Sequence, residues 1–529
     1  MKDTCDVLIV GAGAAGLTAA AYCAKAGLDT LVCERAERIG GFVGSFEREG
    51  FVFDAGIRAF EDSGVLTPML RSLGIPLVFS QNPVTIGIQD RAVRLEGERG
   101  LRDYADLFRS FFPDQAGAID AIIADITRVM RYMDVLYGIE NPLFLEDERK
   151  DPRYLTKTLL PWMIKYSLNI KKADRLREPI RQYLKKFTTS EPLVDMICQH
   201  FFVDTPTFFA LSYFGLYLDY RYPVGGMGML PAKLAEFIVF HNGELQTGAE
   251  VTGVFPLAHT ARLADGRSVR YRQLVWAADQ TALYRALGEP AAKQTLRQKA
   301  LVERSRGIDS VLTVFVAADT APVEIAAACG AHAFYTASTL GLSALPDWHS
   351  AAREGFDSLK NWVISYLEKT TYEISTPALR DASLAPAGKA GLIVSTLFDY
   401  ELTKYFFDAG EYDSLKSLAQ DTVLRVLGTM LLPRLPERVI FSLCSTPLTI
   451  ERETGARHGA ITGWAHTNSP MPAVHRFGEI RKAIRTGLTD VLQCGMWTFS
   501  PAGMPVSIIT GKLAADEAIR RLKRPRAAT

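Results

Sequence analysis

A chain of 529 residues exceeds what one hydrophobic core usually serves, so two or three structural units are expected. With 48% hydrophobic and 22% charged residues it has the composition of an ordinary globular protein. Lys+Arg at 60 against Asp+Glu at 59 leaves +1, so no global field selects nucleic acid or another acidic partner.

Seven scattered cysteines (5, 23, 33, 198, 329, 444 and 494) form no CxxC pair, which argues against a disulfide framework, a zinc site and a dithiol redox centre. They read as buried reduced thiols. The eight histidines show no HxxxH or HxH spacing, so no metal site is expected. The N-terminal apolar run follows Asp6 and is broken by glycines, unlike a signal peptide. No stretch of about 18 uninterrupted apolar residues occurs; the nearest, Phe201 to Tyr217, contains Asp204 and Pro206. A cytoplasmic location is expected, with peripheral contact to the cytoplasmic membrane face as an option.

Asp6-Val7-Leu8-Ile9-Val10 predicts a buried parallel strand. Gly11-Ala12-Gly13-Ala14-Ala15-Gly16 follows without a gap, Leu17 to Lys25 predicts a helix, and Gly27 closes it. A second strand, Thr30 to Cys33, ends on Glu34. Gly11 permits the tight turn, Gly13 lets backbone approach a diphosphate, and Gly16 lets helix and sheet pack closely. The helix start, at Ala14 and Ala15, offers free N–H groups and positive dipole to that diphosphate. Glu34, about 20 residues on, is placed to accept hydrogen bonds from ribose hydroxyls. Strand, glycines, helix, strand and acid in this order predict a dinucleotide-binding unit.

The continuation, Glu34-Arg35-Ala36-Glu37-Arg38-Ile39-Gly40-Gly41-Phe42-Val43-Gly44-Ser45, resembles the extension in FAD proteins of the glutathione-reductase-like superfamily. The resemblance implies that Arg35 and the Gly40-Gly41 turn cover adenosine ribose and pyrophosphate, with Gly44 and Ser45 at the same site. Glu34 would repel a 2′-phosphate, which disfavours NADP. Phe46 to Gly56 reads as a hairpin turning at Glu49-Gly50. Together, GGFVGSFEREGFVFDAG resembles the phytoene desaturase family, which includes carotenoid isomerases and retinol saturases. That family implies FAD as cofactor and brings Asp54-Ala55-Gly56-Ile57-Arg58 towards the isoalloxazine. Arg58 reads equally as a surface or salt-bridged arginine.

From Asp103 to about Phe240 helical spacing dominates: Tyr104 to Phe111, Gly117 to Tyr137 and Thr156 to Leu168. Within it, residues 156–186 concentrate Lys165, Lys171, Lys172, Arg175, Arg177, Arg181, Lys185 and Lys186 beside Leu159, Leu160, Trp162, Met163 and Ile164. Such a stretch can rest on an anionic membrane surface, or be a solvated face paired with Asp174 and Glu178. The aromatic segment from Phe201 to Tyr222 suits either the wall of an apolar tunnel or a packed core.

Tyr222 to Pro231 holds a glycine cluster but no preceding strand or partner acid, so it is not a second dinucleotide site. It resembles the family's YP.GGMG..P element, after which the chain returns to the FAD unit through a helix (Ala232 to Phe240) and a strand near Val251, whose backbone by resemblance meets the adenine. Asp265-Gly266 is a hairpin turn. From about 300 to 480, Val311 to Val316, Trp362 to Tyr366 and Gly391 to Ser395 read as strands of a mixed sheet, with a helix from Leu415 to Leu427. Ala460 to Trp464 resembles a loop closing over substrate in carotenoid isomerases. Near the end Gly495 matches a family glycine followed by an acid, here replaced by Met496. A helix opening at Pro505, between Met504 and Val506, would aim positive dipole at the flavin's pyrimidine edge.

These readings predict an α/β protein with a Rossmann-like, glutathione-reductase-type FAD-binding domain, discontinuous in sequence (1–100, 241–290, 488–529), a helical insertion (101–240) and a mixed-sheet substrate domain (291–487). The resemblance implies an FAD-dependent oxidoreductase acting on C–C or C=C bonds of a long apolar, isoprenoid substrate by desaturation, saturation or isomerisation; no catalytic residue is assigned. Two alternatives share the scaffold. An amine oxidase usually carries Arg after the Gly-Gly turn, where Phe42 stands; a non-catalytic lipid escort protein has no need of the intact glycines and Glu34.

Overall fold

Val7, Leu8 and Ile9 have no solvent exposure, as a strand without a polar face requires cover on both sides. In the computed structural model, which describes residues 2–61, 63–145, 151–173, 175–288 and 293–523, they form β1 (Thr4–Val10) at the centre of a seven-stranded sheet. Asp174 and the boundary expected at 290/291 lie outside the described residues. Helix α1 (Ala14–Lys25) connects β1 to β2 (Thr30–Cys33), and the strands pair in parallel from Val7↔Thr30 to Val10↔Cys33.

Beyond β2 lies Glu244–Gln246, also parallel. On the other side, Ser268–Trp276 pairs in parallel with β1. Its far edge is shared: Thr260–Leu263 runs antiparallel along its first residues, and Val491–Gln493 runs parallel to Leu274–Trp276. Segments near 10, 250–276 and 491 thus build one sheet. Helix α2 (Met504–Lys523) covers it beside α1, and a Cβ at Gly511 would come within 2.5 Å of the Ala15 carbonyl oxygen, so the two helices touch where that side chain is missing.

A second seven-stranded sheet runs in the order Val439–Ser445, Ser310–Ala318, Ala390–Phe398, Thr371–Ser375, His332–Thr336, Val84–Ile88, Arg91–Leu95. We label His332–Thr336 β3 and Thr371–Ser375 β4. All neighbours are antiparallel except β3 with Val84–Ile88. Residues 84–95, expected within the FAD unit, therefore belong to the second sheet by pairing, and Val84, Ile86, Ile88 and Leu95 bury their side chains against the helical segment that follows. Trp362 to Tyr366, expected as a strand, lies within a helix, Phe356–Lys369. Leu359, Val363 and Leu367 are fully buried at four-residue spacing and face the sheet. At about 1.5–3 kcal/mol for each fully buried aliphatic side chain, that stripe outweighs the β preference of Trp, Val, Ile and Tyr.

The described residues between 100 and 217 are mostly helical, with a core around Tyr104, Phe108, Ile126, Leu211 and Phe214. A short strand, Tyr220–Pro223, does precede the second glycine cluster, contrary to expectation. It joins Phe60–Glu61 and Phe79–Gln81 in a three-stranded antiparallel sheet and feeds no dinucleotide-type turn.

Candidate functional site

The three glycines of the opening loop do different things. Gly11 has φ +101°, and a Cβ there would stand 3.0 Å from the Ala277 carbonyl oxygen. A Cβ on Gly16 would lie 1.9 Å from the Gly11 carbonyl oxygen, so only glycine fits between helix and turn. At Gly13 nothing lies within 4 Å: that position opens on a cavity. The first N–H groups of α1 have no intrahelical acceptor and are available to an anion.

Glu34 is held over the loop, its Oε2 accepting the Ala12 N–H at 2.6 Å and its Oε1 the Ala36 N–H at 2.8 Å. Gly40 and Gly41 both have positive φ, and the Gly40 N–H donates to the Ala12 carbonyl at 2.8 Å, which closes the Gly-Gly turn over the glycine loop. Arg35 donates to the Arg452 carbonyl at 2.7 Å. Gly495, with φ +99°, donates its N–H to Thr510 Oγ1 at 3.0 Å.

Gly11, Gly13, Glu34, Arg35, Gly40, Gly41 and Gly495 border one cavity of about 1230 Å³, larger than an ordinary small-molecule pocket. Of the residues expected at the cofactor, Gly11, Gly13, Ala14, Ala15, Glu34, Arg35, Gly40, Gly41, Gly56, Arg58, Val251, Gly495, Met504, Pro505 and Val506 line it. Met496 lines it too, so no carboxylate stands where the resemblance calls for an acid. Helix α2 begins at Met504, one residue ahead of the expected start at Pro505.

Gly16, Gly44 and Ser45 do not line the cavity. Gly16 acts through packing, and Gly44 sits inside the turn closed by Gly41. Ser45 donates to Asp54 Oδ1 at 3.0 Å and accepts the Gly228 N–H at 2.9 Å, which ties the second glycine cluster to the hairpin. Asp54 also turns away: it is fully buried and accepts from Tyr222 Oη and the Met227 N–H. Ala55 to Arg58 remain on the cavity wall.

The other end of the cavity is aromatic, with Phe201, Phe208, Phe209, Tyr213, Tyr217 and Phe334 on its wall. Core packing and tunnel wall are therefore the same residues here: Phe201, Phe208 and Tyr217 are buried as well. His200 lies among them, and burial pushes its imidazole down to about 4, so it is neutral near pH 7.

Between the two ends lies a polar floor that sequence reasoning missed. Along β4, Thr371 and Glu373 face the cavity while Tyr372 and Ile374 face the core; along β3, His332 and Phe334 alternate with Ala333 and Tyr335 in the same way. Arg58 is 5% exposed, which excludes the surface reading. Its Nη2 donates to Ser395 Oγ at 2.9 Å, and Nη1 to the carbonyls of Asp54 and Gly56. Burial lowers its affinity for its proton, against the neighbouring charges of Glu373 and Asp54. Glu61 also lines the cavity, and burial pushes its carboxyl up to about 7. The sequence trace of this floor is one acid in a strand-like run, Thr371-Tyr372-Glu373-Ile374-Ser375, an ordinary pattern that does not single it out.

An open diphosphate approach at Gly13, free helix N–H groups and a ribose-directed carboxylate fit a dinucleotide; the Gly-Gly turn and the α2 terminus extend the cradle past it. Fold and site define an FAD-dependent oxidoreductase. The model of the flavin containing amine oxidoreductase family matches residues 14–519, and the chain belongs to that family. It is 25% identical to the chloroplastic prolycopene isomerase of Arabidopsis thaliana, over 96% of this chain and 82% of that protein. It is 23% identical to the all-trans-retinol 13,14-reductase of Danio rerio, over 88% of this chain and 78% of that protein. Among solved structures, an oxidoreductase from Methanosarcina mazei superimposes with a TM-score of 0.60 at 11% identity, covering 97% of this chain and all of that one.

Proposed function

We propose that this FAD-dependent oxidoreductase acts on the C–C or C=C bonds of a long apolar polyene of carotenoid or retinoid type. The observation that carries the reading is the continuity of the FAD cradle with an aromatic-walled cavity, about 1230 Å³ in all. The full-length similarity to a prolycopene isomerase and a retinol reductase supports the same substrate class. Bound FAD supplies two-electron chemistry at its ring, while this chain binds, aligns and dries the substrate.

The substrate's route is part of the proposal. On the helix Leu160–Ala173, Leu160, Ile164 and Leu168 are each more than half exposed, with Met163 beside them. Trp162, Tyr166 and Ile170, two residues along and so on the opposite side, line the cavity. Lys165, Lys171 and Lys172 flank the outer stripe. We assign this helix to an anionic lipid surface, from which an apolar substrate passes to the aromatic wall. No helix among the described residues is long and apolar enough to cross a membrane.

The test is turnover by purified protein with a flavin band near ~450 nm. Prolycopene and all-trans-retinol, offered with oxidised and with reduced flavin, should give isomerised, desaturated or saturated product. The family description favours a second reading, amine oxidation; release of peroxide with amines and inertness towards both polyenes would establish it instead.

A further inference from the structure

We propose that Glu373 is the catalytic carboxylate of this site, taking a proton from the substrate and facing the positive charge that develops on it; this rests on the polyene reading above. A cavity built for a hydrocarbon needs no ionised wall, and placing a carboxylate away from water costs several kcal/mol unless it is paired and hydrogen-bonded. Here the pairing is elaborate, and it leaves one oxygen unused.

Glu373 Oε1 is 2.9 Å from His332 Nε2. The imidazole's proton can be placed by following the chain of partners. Arg380 Nη1, which only donates, is 3.0 Å from Asn82 Oδ1, so that atom is the amide oxygen and Nδ2 faces His332. Asn82 Nδ2 donates to His332 Nδ1 at 3.0 Å, so the ring proton sits on Nε2 and is donated to Glu373. Arg380 is fixed in turn by Ser375 Oγ at 2.6 Å and by the Tyr222 ring, 3.8 Å from its guanidinium carbon to the centroid. Among the described residues Oε2 of Glu373 has no hydrogen-bond partner, and the side chain's remaining exposure, 33%, is at the cavity wall.

Location agrees with this. Glu373 lies opposite Ser395 in the sheet, and Ser395 receives Arg58, whose segment from Ala55 borders the FAD cradle. Burial alone raises the carboxyl, but the hydrogen bond from neutral His332 and the charges of Arg58 and Arg380 outweigh it, and it lies below its ordinary value. A weak base is sufficient for the chemistry. With FAD bound as the oxidant, an allylic C–H bond that gave up its hydrogen with both electrons would leave the carbon chain a delocalised cation. The C–H bond on the next carbon then breaks, its electron pair becomes the new C=C bond, and its proton passes to Glu373 Oε2, then to water as product leaves. Saturation runs the same steps in reverse. His332 is a positioning residue: its Nδ1 only accepts, so it passes no proton on.

The test compares wild type, Glu373→Gln and Glu373→Asp, each checked for bound flavin, with prolycopene and all-trans-retinol. Glu373→Gln should lose at least about 100-fold in kcat, the usual worth of an acid–base group, and Glu373→Asp should recover part of it. A second readout is binding of a polyene analogue with a quaternary ammonium in mid-chain. Wild type should bind it at least about tenfold tighter than the uncharged parent, and Glu373→Gln should abolish the preference. If Glu373→Gln does not hold flavin, Glu373→Asp alone decides, by kcat and by the same preference. His332→Phe should raise the acid limb of the kcat profile, since Arg58, Arg380, Asp54, Tyr217 and Tyr220 remain around the carboxylate and only the hydrogen bond is lost. Wild type that binds flavin but transforms neither polyene overturns the functional reading and this inference with it. Active wild type with Glu373→Gln within threefold of it, or equal binding of charged and uncharged analogues, overturns this inference alone.

Discussion

The phenol of Tyr222 donates a 2.8 Å hydrogen bond to Asp54 Oδ2, joining the strand after the helical insertion to the hairpin beside the cofactor cradle. Asp54 Oδ1 takes two further donors, Ser45 Oγ and the Met227 N–H, both at 3.0 Å. The carboxylate is fully buried and stands near two guanidiniums, buried Arg58 and half-buried Arg380. Removing it leaves three donors without their acceptor and takes one of two nearby negative charges from Arg58 and Arg380, the other being Glu373. Asp54→Ala should therefore cost about 3–5 kcal/mol in denaturant unfolding. Tyr222→Phe deletes one bond and leaves the carboxylate its other donors; about 1–2 kcal/mol is expected. Equal losses for the two variants would show that Asp54 does not organise this cluster.

The glycine loop separates folding from binding. Gly13 has ordinary extended angles (φ −76°, ψ 179°) and empty space where a Cβ would go, so Gly13→Ala should fold with an unfolding midpoint near wild type. Its methyl group would occupy the diphosphate's approach, and FAD affinity should fall at least tenfold. Gly16→Ala places a methyl 1.9 Å from the Gly11 carbonyl oxygen, which must force helix and turn apart. That variant should lose stability as well as flavin. Thermal unfolding of the flavin-free proteins and flavin titration distinguish the two.

That loop was legible in the sequence because its turn, its helix start and the Gly16 contact with the Gly11 carbonyl fall within six residues; only the approach of Gly11 to Ala277 is remote. The same holds for the hairpin at Ser45–Arg48 and Phe51–Asp54. Legibility failed where the deciding partner is remote. Val84–Ile88 has an ordinary strand pattern, and only its parallel pairing with His332–Thr336, about 250 residues on, assigns it to the second sheet. The helix around Trp362 was obscured by four residues of β-favouring type, since a short apolar run fits both periods until its burial partner is known. Glu373 was invisible for a related reason: one acid in a strand is ordinary, and its chemistry comes from His332, Arg58 and Arg380, each on a different segment.

Glu61 links stability to pH. Burial pushes its carboxyl up to about 7 against a usual value near 4.5, with Asp219 adding to the rise and its backbone hydrogen bond opposing it. The folded state thus binds this proton more tightly than the unfolded chain. Its contribution is fully present below about pH 4.5 and is lost as pH rises through about 7, a decline on the order of 2–3 kcal/mol. Unfolding by urea at pH 5 and pH 8 should show that decline in flavin-free wild type and a smaller one in Glu61→Gln. Identical pH dependence in the two proteins would exclude Glu61 as its source.

The helix Leu160–Ala173 makes the lipid-surface assignment testable without any substrate. Its outer stripe carries Leu160 at 55%, Met163 at 51%, and Ile164 and Leu168 at 59% exposure, contiguous along one face. An exposed apolar stripe rimmed by lysines gains from burial in the headgroup region and from anionic lipid, at about 1 kcal/mol per basic residue near the surface. Wild type should float with vesicles rich in phosphatidylserine and largely fail to float with neutral phosphatidylcholine. Ile164→Glu with Leu168→Glu should abolish flotation, because both carboxylates would have to enter the interface. Lys171→Glu with Lys172→Glu should weaken it at low salt and matter less at high salt, where screening removes the electrostatic share. None of these four side chains lines the cavity, so flavin content should be unchanged in both double variants. Equal flotation of wild type and the Ile164/Leu168 variant would mean that the stripe faces something other than lipid. Loss of flotation with intact flavin would identify this helix as the side through which an apolar substrate reaches Trp162, Tyr166 and Ile170.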